Sequence, residues 1–376
     1  MRKLFFVFIL LACTSIGRAQ VPGLGQSQIT SSGPCLDKDG DHYGVGPGCL
    51  GPDADDDDPD VHSASDVLFK YGPDPLTGGS RPINNWLARL GYQTTLVSGS
   101  SVISLRKVWA LSISTGSDSN NCSSTVSADS ALAVPCQTWA HIVGSLAAGD
   151  IVVVRGGTYP RMALPSGTSG NPIVVIAYPG EVVTLSQTSA SSGAVIDAAE
   201  QHYWVVDGLR VTDNCNGGVG ISTGSYGGDA SIQSHDWIIR RTEVSNSGTG
   251  GGNDSNIDGD NLHNVLLEYN VVHDVCAPGQ HNIYLGSNNF NSDGVVIQFN
   301  ITYNDLTTGG YPQIQFNGRC NQDGLGLPCH IDFNWIFSGN AGGITIEQGY
   351  ANSFIEGNTC FNTGKCLTIF NYDSGQ

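Results

Sequence analysis

Residues 265–270 read Val-Leu-Leu-Glu-Tyr-Asn, a short run of alternating apolar positions that ends in an asparagine. The pattern returns at residues 295–300, 330–334 and 353–358. The asparagines that end the four runs are 30, 34 and 24 residues apart: Asn270, Asn300, Asn334 and Asn358. A repeat of this length is too short to bury a core alone, and its variable length is typical of a stacked solenoid with loops between strands. The sequence therefore predicts one coil per repeat.

The alternation within each run has a period of two, as in a strand. It places Val295, Ile297 and Phe299 on one face and Val296 and Gln298 on the other. Asparagine suits the corner that follows, because its short amide tolerates a left-handed backbone and can bond to the asparagine stacked above it.

A second strand series alternates with the first along the chain. Its members begin at Ile196, Ile221, Ile257, Ile283, Ile314, Ile344 and Leu367. With opening coils at residues 150–159 and 172–177, the chain has about nine coils. The predicted fold class is all-β, a parallel β-helix. A β-sandwich or propeller is the alternative, and its segments would be more even in length.

The entry to the coils resembles a known superfamily. Residues 116–120 (Gly-Ser-Asp-Ser-Asn), 135–140 (Pro-Cys-Gln-Thr-Trp-Ala) and 149–159 (Gly-Asp-Ile-Val-Val-Val-Arg-Gly-Gly-Thr-Tyr) resemble the amino-terminal end of secreted right-handed parallel β-helix proteins of the pectate-lyase-like superfamily. The resemblance extends from residue 112 to the carboxyl terminus. It implies a short capping helix at about residues 137–146. It does not fix the chemistry, because that superfamily contains lyases, hydrolases, epimerases and non-catalytic adhesins.

The 376 residues divide into four predicted segments. Residues 1–19 are a signal peptide, 20–70 an acidic module, 71–105 a linker with a short helix at residues 83–90, and 106–376 the β-helix. No cap is recognisable after the last strand. Either the cap is missing because the sequence is a fragment, or a partner protects the last coil.

The amino terminus predicts export. Arg2 and Lys3 precede an apolar run, and small residues stand before Gln20. Residues 10–13 also resemble a bacterial lipoprotein box, which would anchor the protein through a lipid on Cys13. No other stretch is long and apolar enough to span a bilayer. The expected location is therefore secreted or cell-surface.

The remaining ten cysteines support an oxidising compartment. Proximity in the sequence pairs them as Cys35 with Cys49, Cys122 with Cys136, Cys215 with Cys276, Cys320 with Cys329, and Cys360 with Cys366. No Cys-x-x-Cys motif occurs, so a cysteine metal site is the weaker interpretation.

The acidic module predicts a calcium site. Ten acidic residues and one lysine lie between residues 37 and 66, and carboxylates at alternate positions of a glycine-bearing loop can converge on one hard cation. The predicted ligands are Asp37, Asp39, Asp41, Asp53, Asp55 and Asp57. The module resembles thrombospondin type 3 calcium repeats and the acidic metal-binding repeats of secreted bacterial proteins, although it departs from the EF-hand loop. The alternative is a solvated acidic linker.

The net charge of −18 argues against nucleic acid as a partner. An acidic polysaccharide would also be repelled unless bound calcium offset the field locally.

The outward positions of the second strand series carry a polar and aromatic row that suits a sugar chain. The row consists of Asp197, Ser222, Asp258 with Asp260, Tyr284, Gln315 with Asn317, Thr345 with Glu347, and Thr368 with Phe370. Asp258, Asp260 and Glu347 are the candidate acids, bases or metal ligands, and His281 is a fourth catalytic candidate. The predicted substrate-binding residues are Tyr284, Gln315, Asn317 and Arg319. The alternative is that the carboxylates only keep the sheet soluble and that His281 hydrogen-bonds at a corner.

Two functions follow. The first is a polysaccharide lyase or glycoside hydrolase acting on a polysaccharide in a groove along one sheet face. The second is a non-catalytic glycan-binding or structural surface module stiffened by calcium. The coils with this row contain one lysine, Lys365, so a lyase with a lysine base is not expected. Arg240 and Arg241 occupy opposite faces of one strand, so either one of them points inward or the alternation breaks there.

Overall fold

The computed structural model describes part of the chain. The described residues are 95–98, 101–125, 128–187, 193–224, 234–247, 255–260, 262–276, 280–286, 291–305, 312–317, 319–320, 327–337, 342–347, 353–361 and 363–370. The chain divides into two units, residues 1–67 and 68–376, and all described residues belong to the second. The predicted signal peptide, lipid anchor, calcium ligands, Cys35–Cys49 pair and helix at residues 83–90 lie outside them.

Nearly all of the described strands belong to three sheets of mainly parallel strands, which the chain visits in turn. The first sheet contains Val108–Leu111, Ile151–Val154, Ile173–Ala177, Trp204–Asp207, Ser234–Arg240, Leu262–Glu268, Asn291–Gln298, Cys329–Asp332 and Ser353–Glu356, with Ser123–Ser124 antiparallel to its first strand and Arg319–Cys320 beside Asn291–Gln298. The second contains Gly157–Tyr159, Val183–Ser186, Arg210–Thr212, Glu243–Ser245, Val271–Val275, Ile301–Asp305, Trp335–Phe337 and Thr359–Phe361. The third contains Met162–Ala163, Ile196–Asp197, Ile221–Ser222, Ile257–Gly259, Ile283–Leu285, Ile314–Phe316, Ile344–Glu347 and Leu367–Phe370.

This arrangement confirms the parallel β-helix. Nine strands of the first sheet stack one per coil, and from the second of them onward the chain passes from each into the second and then the third sheet. In the described part of the chain, no helix has the length and apolar character needed to cross a membrane.

The core is built from columns of inward side chains that occupy equivalent positions on successive coils. Ile257, Ile283, Ile314 and Ile344 pair in register on successive coils and are at most 1% exposed. Burial of each such side chain stabilises the fold by about 1.5–3 kcal/mol. The core is therefore a continuous stack that no single coil could form alone.

The predicted asparagine ladder is present at the corner between the first and second sheets. The Oδ1 atom of Asn300 accepts hydrogen bonds from the backbone N and from Nδ2 of Asn270, both at 3.0 Å. Its Nδ2 atom donates to the Leu267 carbonyl and to Asn334 Oδ1, both also at 3.0 Å. Asn358 continues the ladder from Asn334 at 2.9 Å. Thr242 stands at the asparagine position one coil earlier, as predicted, and its backbone N donates to Asn270 Oδ1.

The left-handed backbone of this corner is not where the sequence placed it. It belongs to the residue before each asparagine, with φ of 55° at Tyr269, 54° at Phe299 and 55° at Phe333. The turn breaks the alternation, so the prediction that Phe299 shares a face with Val295 and Ile297 is wrong. Phe299 is exposed, whereas those two residues are buried.

The same turn answers the question about the two arginines. Arg241 has φ of 49°, so the alternation breaks after Arg240 and neither side chain enters the core. Both guanidinium groups donate to the buried carboxylate of Asp207.

The amino-terminal end carries the predicted capping helix in a shorter form. An α-helix spans Trp139–Ile142, followed by a 3₁₀ turn at Val143–Ser145. The hydroxyl of Thr138 accepts from the backbone N of His141 at 3.3 Å, which fixes the start of the helix. Trp139 packs into the core, and its Nε1 donates to the Ala163 carbonyl at 2.9 Å. A second short helix spans Ala128–Leu132.

The predicted linker and the predicted disulfides can also be compared with the structure. Within the segment predicted as a linker, Thr95–Ser98 and Ser101–Leu105 pair as an antiparallel hairpin. Four of the predicted disulfides are confirmed: Cys122–Cys136, Cys215–Cys276, Cys320–Cys329 and Cys360–Cys366.

Candidate functional site

The outer face of the third sheet carries two parallel columns of polar residues. Strand pairing places the first column in the order Asp197, Ser222, Asp258, Tyr284, Gln315, Thr345 and Thr368. Asp258, Tyr284, Gln315 and Thr345 point away from the core, yet each is less than a tenth exposed. These side chains are therefore covered and not open to solvent, and we call this part of the face, with its two columns, the recess.

The second column lies two residues further along each strand. Extension of the same pairing gives the order Gly224, Asp260, Gly286, Asn317, Glu347 and Phe370. Asp258 and Asp260 are two residues apart on one coil, or about 7 Å between their Cα atoms. Glu347 lies three coils from Asp260, or about 14 Å at the strand spacing. The three predicted catalytic carboxylates thus share one face, but only the two aspartates are direct neighbours.

Tyr284 lies between the carboxylates. Asn317 Nδ2 donates to its hydroxyl oxygen at 2.8 Å, and Gln315 Nε2 donates to Asn317 Oδ1 at 3.0 Å. Burial, with the negative charge of the nearby carboxylates, raises the pKa of Tyr284 to about 12. The phenol is therefore protonated at neutral pH and fixed by two amide side chains.

Two carboxyl groups near Tyr284 have raised pKa values. Burial raises the pKa of Asp260 to about 6 and also raises the pKa of Glu347. A carboxyl group with a pKa near 6 exists in both protonation states at the pH of most biological fluids. Asp260 can therefore serve as a proton donor in a way that an ordinary surface aspartate cannot.

His281 is buried next to Tyr284, with ring centroids 5.3 Å apart. Its Nδ1 donates to the Pro312 carbonyl at 2.8 Å, and burial lowers its pKa to about 4. The imidazole is therefore neutral and bonded at the corner, which favours the structural alternative for this residue. The backbone of Arg319 pairs with Asn291 beside the first sheet, two residues beyond Asn317 of the second column.

A second amide ladder, which the sequence analysis missed, supports the third sheet at its entry corner. Asn256 Nδ2 donates to Asn282 Oδ1 at 2.7 Å, and Asn282 Nδ2 donates to Gln313 Oε1. The signal was present, because an amide residue stands directly before Ile257, Ile283 and Ile314. This ladder fixes the strands on which Asp258, Tyr284 and Gln315 lie.

Within the described residues, no group of three or more His, Cys, Asp or Glu side chains is arranged to hold a metal ion. The calcium ligands predicted from the sequence lie outside the described residues.

Comparison with known proteins finds similarity of fold. No protein-family model and no curated protein sequence matches the chain. A pectate lyase, Pel9A, is 14% identical with a TM-score of 0.40, covering 76% of this chain and 83% of its own. An alginate lyase from Paenibacillus sp. str. FPU-7 is 15% identical with a TM-score of 0.38, covering 60% of this chain and 93% of its own. A rhamnogalacturonan lyase is 16% identical with a TM-score of 0.40, covering 71% and 63%. Similarity of this extent says nothing about activity, so function has to be argued from the recess itself.

Proposed function

We propose that this protein is an extracellular carbohydrate-active enzyme that hydrolyses a glycan bound along the outer face of the third sheet. One observation carries the proposal. Asp258 and Asp260 are adjacent outward carboxyl groups beside a protonated tyrosine, and the pKa of Asp260 is raised to about 6. Two carboxyl groups in different protonation states are what glycoside hydrolysis requires.

The recess has the chemistry to bind a sugar chain. Its polar side chains repeat at the strand spacing, about 4.8 Å, along several coils. Carboxylate, amide and hydroxyl groups can bond to sugar hydroxyls, and Tyr284 offers a ring as well as a hydroxyl. Because Gln315 and Asn317 already hold Tyr284 in place, binding costs little side-chain entropy there.

The two aspartates take different roles in this proposal. Asp260, whose pKa is raised to about 6, protonates the glycosidic oxygen as it leaves. Asp258 is the carboxylate that activates water or attacks the sugar carbon. Their Cα separation of about 7 Å is compatible with either stereochemical course, because carboxyl separations of about 5–9.5 Å cover both.

Hydrolysis of a neutral glycan fits the recess better than elimination from a uronic acid polymer. In the described outward positions from Ser222 to Thr368, there is no lysine or arginine to neutralise a substrate carboxylate. Asp258, Asp260 and Glu347 would repel such a substrate electrostatically.

The test is a panel of neutral and acidic polysaccharides, with new reducing ends and unsaturated ends measured in parallel. We expect reducing ends alone, and a loss of about 100-fold or more in kcat for Asp258→Asn and for Asp260→Asn. Asp197→Asn is the matched control, because Asp197 occupies the same column two coils away and pairs with Arg161 at 3.3 Å. Unsaturated ends would instead establish elimination.

The second candidate is a glycan-binding module without catalysis. The hydrogen bonds that join Gln315, Asn317 and Tyr284 favour this candidate. They form a polar surface before any ligand arrives, and such a surface can bind a sugar without reacting with it. If no polysaccharide is cleaved while one binds, and Tyr284→Ala abolishes that binding, this candidate replaces the enzyme.

We also propose that the amino-terminal module binds calcium and that the protein is exported, either freely secreted or anchored through Cys13. The disulfides in the described part of the chain support an oxidising compartment. Calorimetric titration of the full chain with calcium should show binding that is lost when Asp37, Asp39 and Asp41 are all changed to asparagine. Equal heats for the two proteins would refute the calcium proposal.

A further inference from the structure

The outer face of the second sheet changes character along the coils. In one outward column, Arg210 pairs with Glu243, and the column continues through Val271 and Ile301 to Trp335. A second outward column reaches Phe337 and Phe361, which pair with each other and stack with ring centroids 4.7 Å apart. The early coils are therefore charged on this face, and the later coils are apolar.

The apolar area continues onto the neighbouring corner. Tyr269, Phe299 and Phe333 stand two residues before the second-sheet residues Val271, Ile301 and Trp335. Their rings stack with centroids 5.1 and 5.4 Å apart. The left-handed turn at each of these residues directs its side chain outward. We call the combined surface the aromatic face; it consists of Tyr269, Phe299, Ile301, Phe333, Trp335, Phe337 and Phe361.

The aromatic face is a contiguous apolar patch whose large side chains are about half exposed. Trp335 is 53% exposed, Tyr269 51% and Phe361 43%. With about half of each large side chain accessible, the exposed apolar area is on the order of 500 Å². The largest apolar patch on a typical monomer is about 300–600 Å², and a stable interface buries about 800 Å² on each partner. The exposed area of the aromatic face is therefore more than half of the area that one partner buries in a stable interface.

We infer that the aromatic face packs against the aromatic face of a second copy of this chain. None of its seven side chains is charged, whereas the chain as a whole carries a net charge of −18. An apolar contact between two identical faces keeps those charges out of the interface, and a patch that is apolar throughout is complementary to itself. Two sheet faces pack about 10 Å apart with interdigitated side chains.

A sugar chain is the less suitable occupant. The corner rings lie within 7° and 11° of parallel to their neighbours, and Phe337 and Phe361 within 6°. The faces of these rings therefore cover one another and mostly edges point outward, whereas a sugar chain needs open aromatic faces. Trp335 is tilted by 51° to Phe337 and by 49° to Phe361, so the aromatic face offers at most one open ring. The candidate active site lies on the third sheet, so a dimer formed through the second sheet leaves the recess accessible.

Sedimentation velocity of the full secreted chain at several concentrations tests the inference. We expect a dimer for the wild type and a monomer for Trp335→Lys combined with Phe361→Lys, with the far-ultraviolet circular dichroism unchanged because both side chains are exposed. Val182→Lys is the control, since Val182 is 60% exposed but lies several coils away. Ile301→Ser is a milder second variant, for which we expect at least a tenfold weaker dimer.

A wild type that remains monomeric at about 100 µM would overturn the inference, as would a dimer that survives the double lysine variant or Ile301→Ser. A glycan that binds the wild-type monomer and loses affinity in the double variant would assign the face to sugar instead. The readout is oligomeric state, so its failure is independent of the failure of the proposed hydrolysis.

Discussion

The amide of Asn300 satisfies four groups that no water reaches. It accepts from the backbone and side chain of Asn270 and donates to the Leu267 carbonyl and to Asn334. We expect Asn300→Ala to lower the free energy of unfolding by about 4 kcal/mol, because each buried polar group left without a partner costs about 1–3 kcal/mol. The measurement is urea unfolding at constant m-value.

Asn358→Ala is the matched control for Asn300→Ala. Asn358 makes the same contacts with Asn334 and the Ile331 carbonyl, but its side chain is partly exposed. Water can replace the lost bonds, so we expect a cost of about 1 kcal/mol. Equal costs at the two positions would show that the ladder contributes nothing beyond ordinary surface bonds.

Asp260 also predicts how stability varies with pH. Its pKa is about 6 in the folded protein, against an ordinary value of 3.8 for an aspartate. Because the folded-state pKa is raised, the neutral carboxyl contributes stability that is complete below about pH 4 and is lost as the pH rises through 6. The loss is at most about 3 kcal/mol. Asp260→Asn should remove this dependence, whereas Asp197→Asn should leave it. An unchanged pH profile in Asp260→Asn would contradict the assignment.

At the scale of single residues, the sequence predicts the ladder but not the turn beside it. Asparagine at a repeated position identifies Asn270, Asn300, Asn334 and Asn358, and all four form the ladder. The residue directly before each of the first three asparagines has the left-handed backbone, and it is a tyrosine or a phenylalanine. Nothing in those residue types signals a positive φ. The stack of neighbouring coils imposes the turn.

At the scale of elements, the third-sheet strands are too short to position a site unaided. The strand with Asp258 has three residues, as does the strand with Tyr284. The ladder of Asn256, Asn282 and Gln313 holds these strands at the corner that precedes them. The precision of the recess therefore depends on side chains that do not touch the substrate.

Asn282→Ala tests this dependence. The change removes the acceptor of Asn256 Nδ2 and the donors to Gln313 and to the Tyr303 carbonyl at 3.2 Å. We expect a larger fall in kcat than in Asn300→Ala, because Asn282 is two residues from Tyr284, while the two variants lose similar stability. If the two variants lost kcat equally, the second ladder would have no special role in positioning the recess.

Element placement was predictable because period-two alternation sorts inward from outward positions on every coil. The pairing of Asp258 with Tyr284 and of Tyr284 with Gln315 follows from that pattern. The depth of these residues and the raised pKa of Asp260 did not follow, because both depend on how adjacent coils cover each side chain. The three coils between Asp260 and Glu347 were predictable, because the two residues stand three positions after Ile257 and Ile344 in the strand series.

At the scale of the whole molecule, a stack of coils is held mainly by contacts between neighbours, so its stability is approximately a sum along one axis. A disulfide between coils that are not direct neighbours couples the unfolding of those coils. Cys215 and Cys276 follow second-sheet strands that are separated by the strand Glu243–Ser245, and they are 61 residues apart in sequence. Cys360 and Cys366 are only six residues apart, within the last coil.

The two disulfides should therefore differ in what they contribute. In the loop-entropy description, closing 61 residues stabilises the fold by about 4 kcal/mol and closing six residues by about 2 kcal/mol. We expect the double change Cys215→Ser and Cys276→Ser to lower the urea midpoint more than Cys360→Ser with Cys366→Ser. The first should also broaden the transition, because coils on either side of the lost cross-link can unfold separately. A sharper transition, or the opposite order of midpoints, would mean that the coils unfold as one unit regardless of the cross-link.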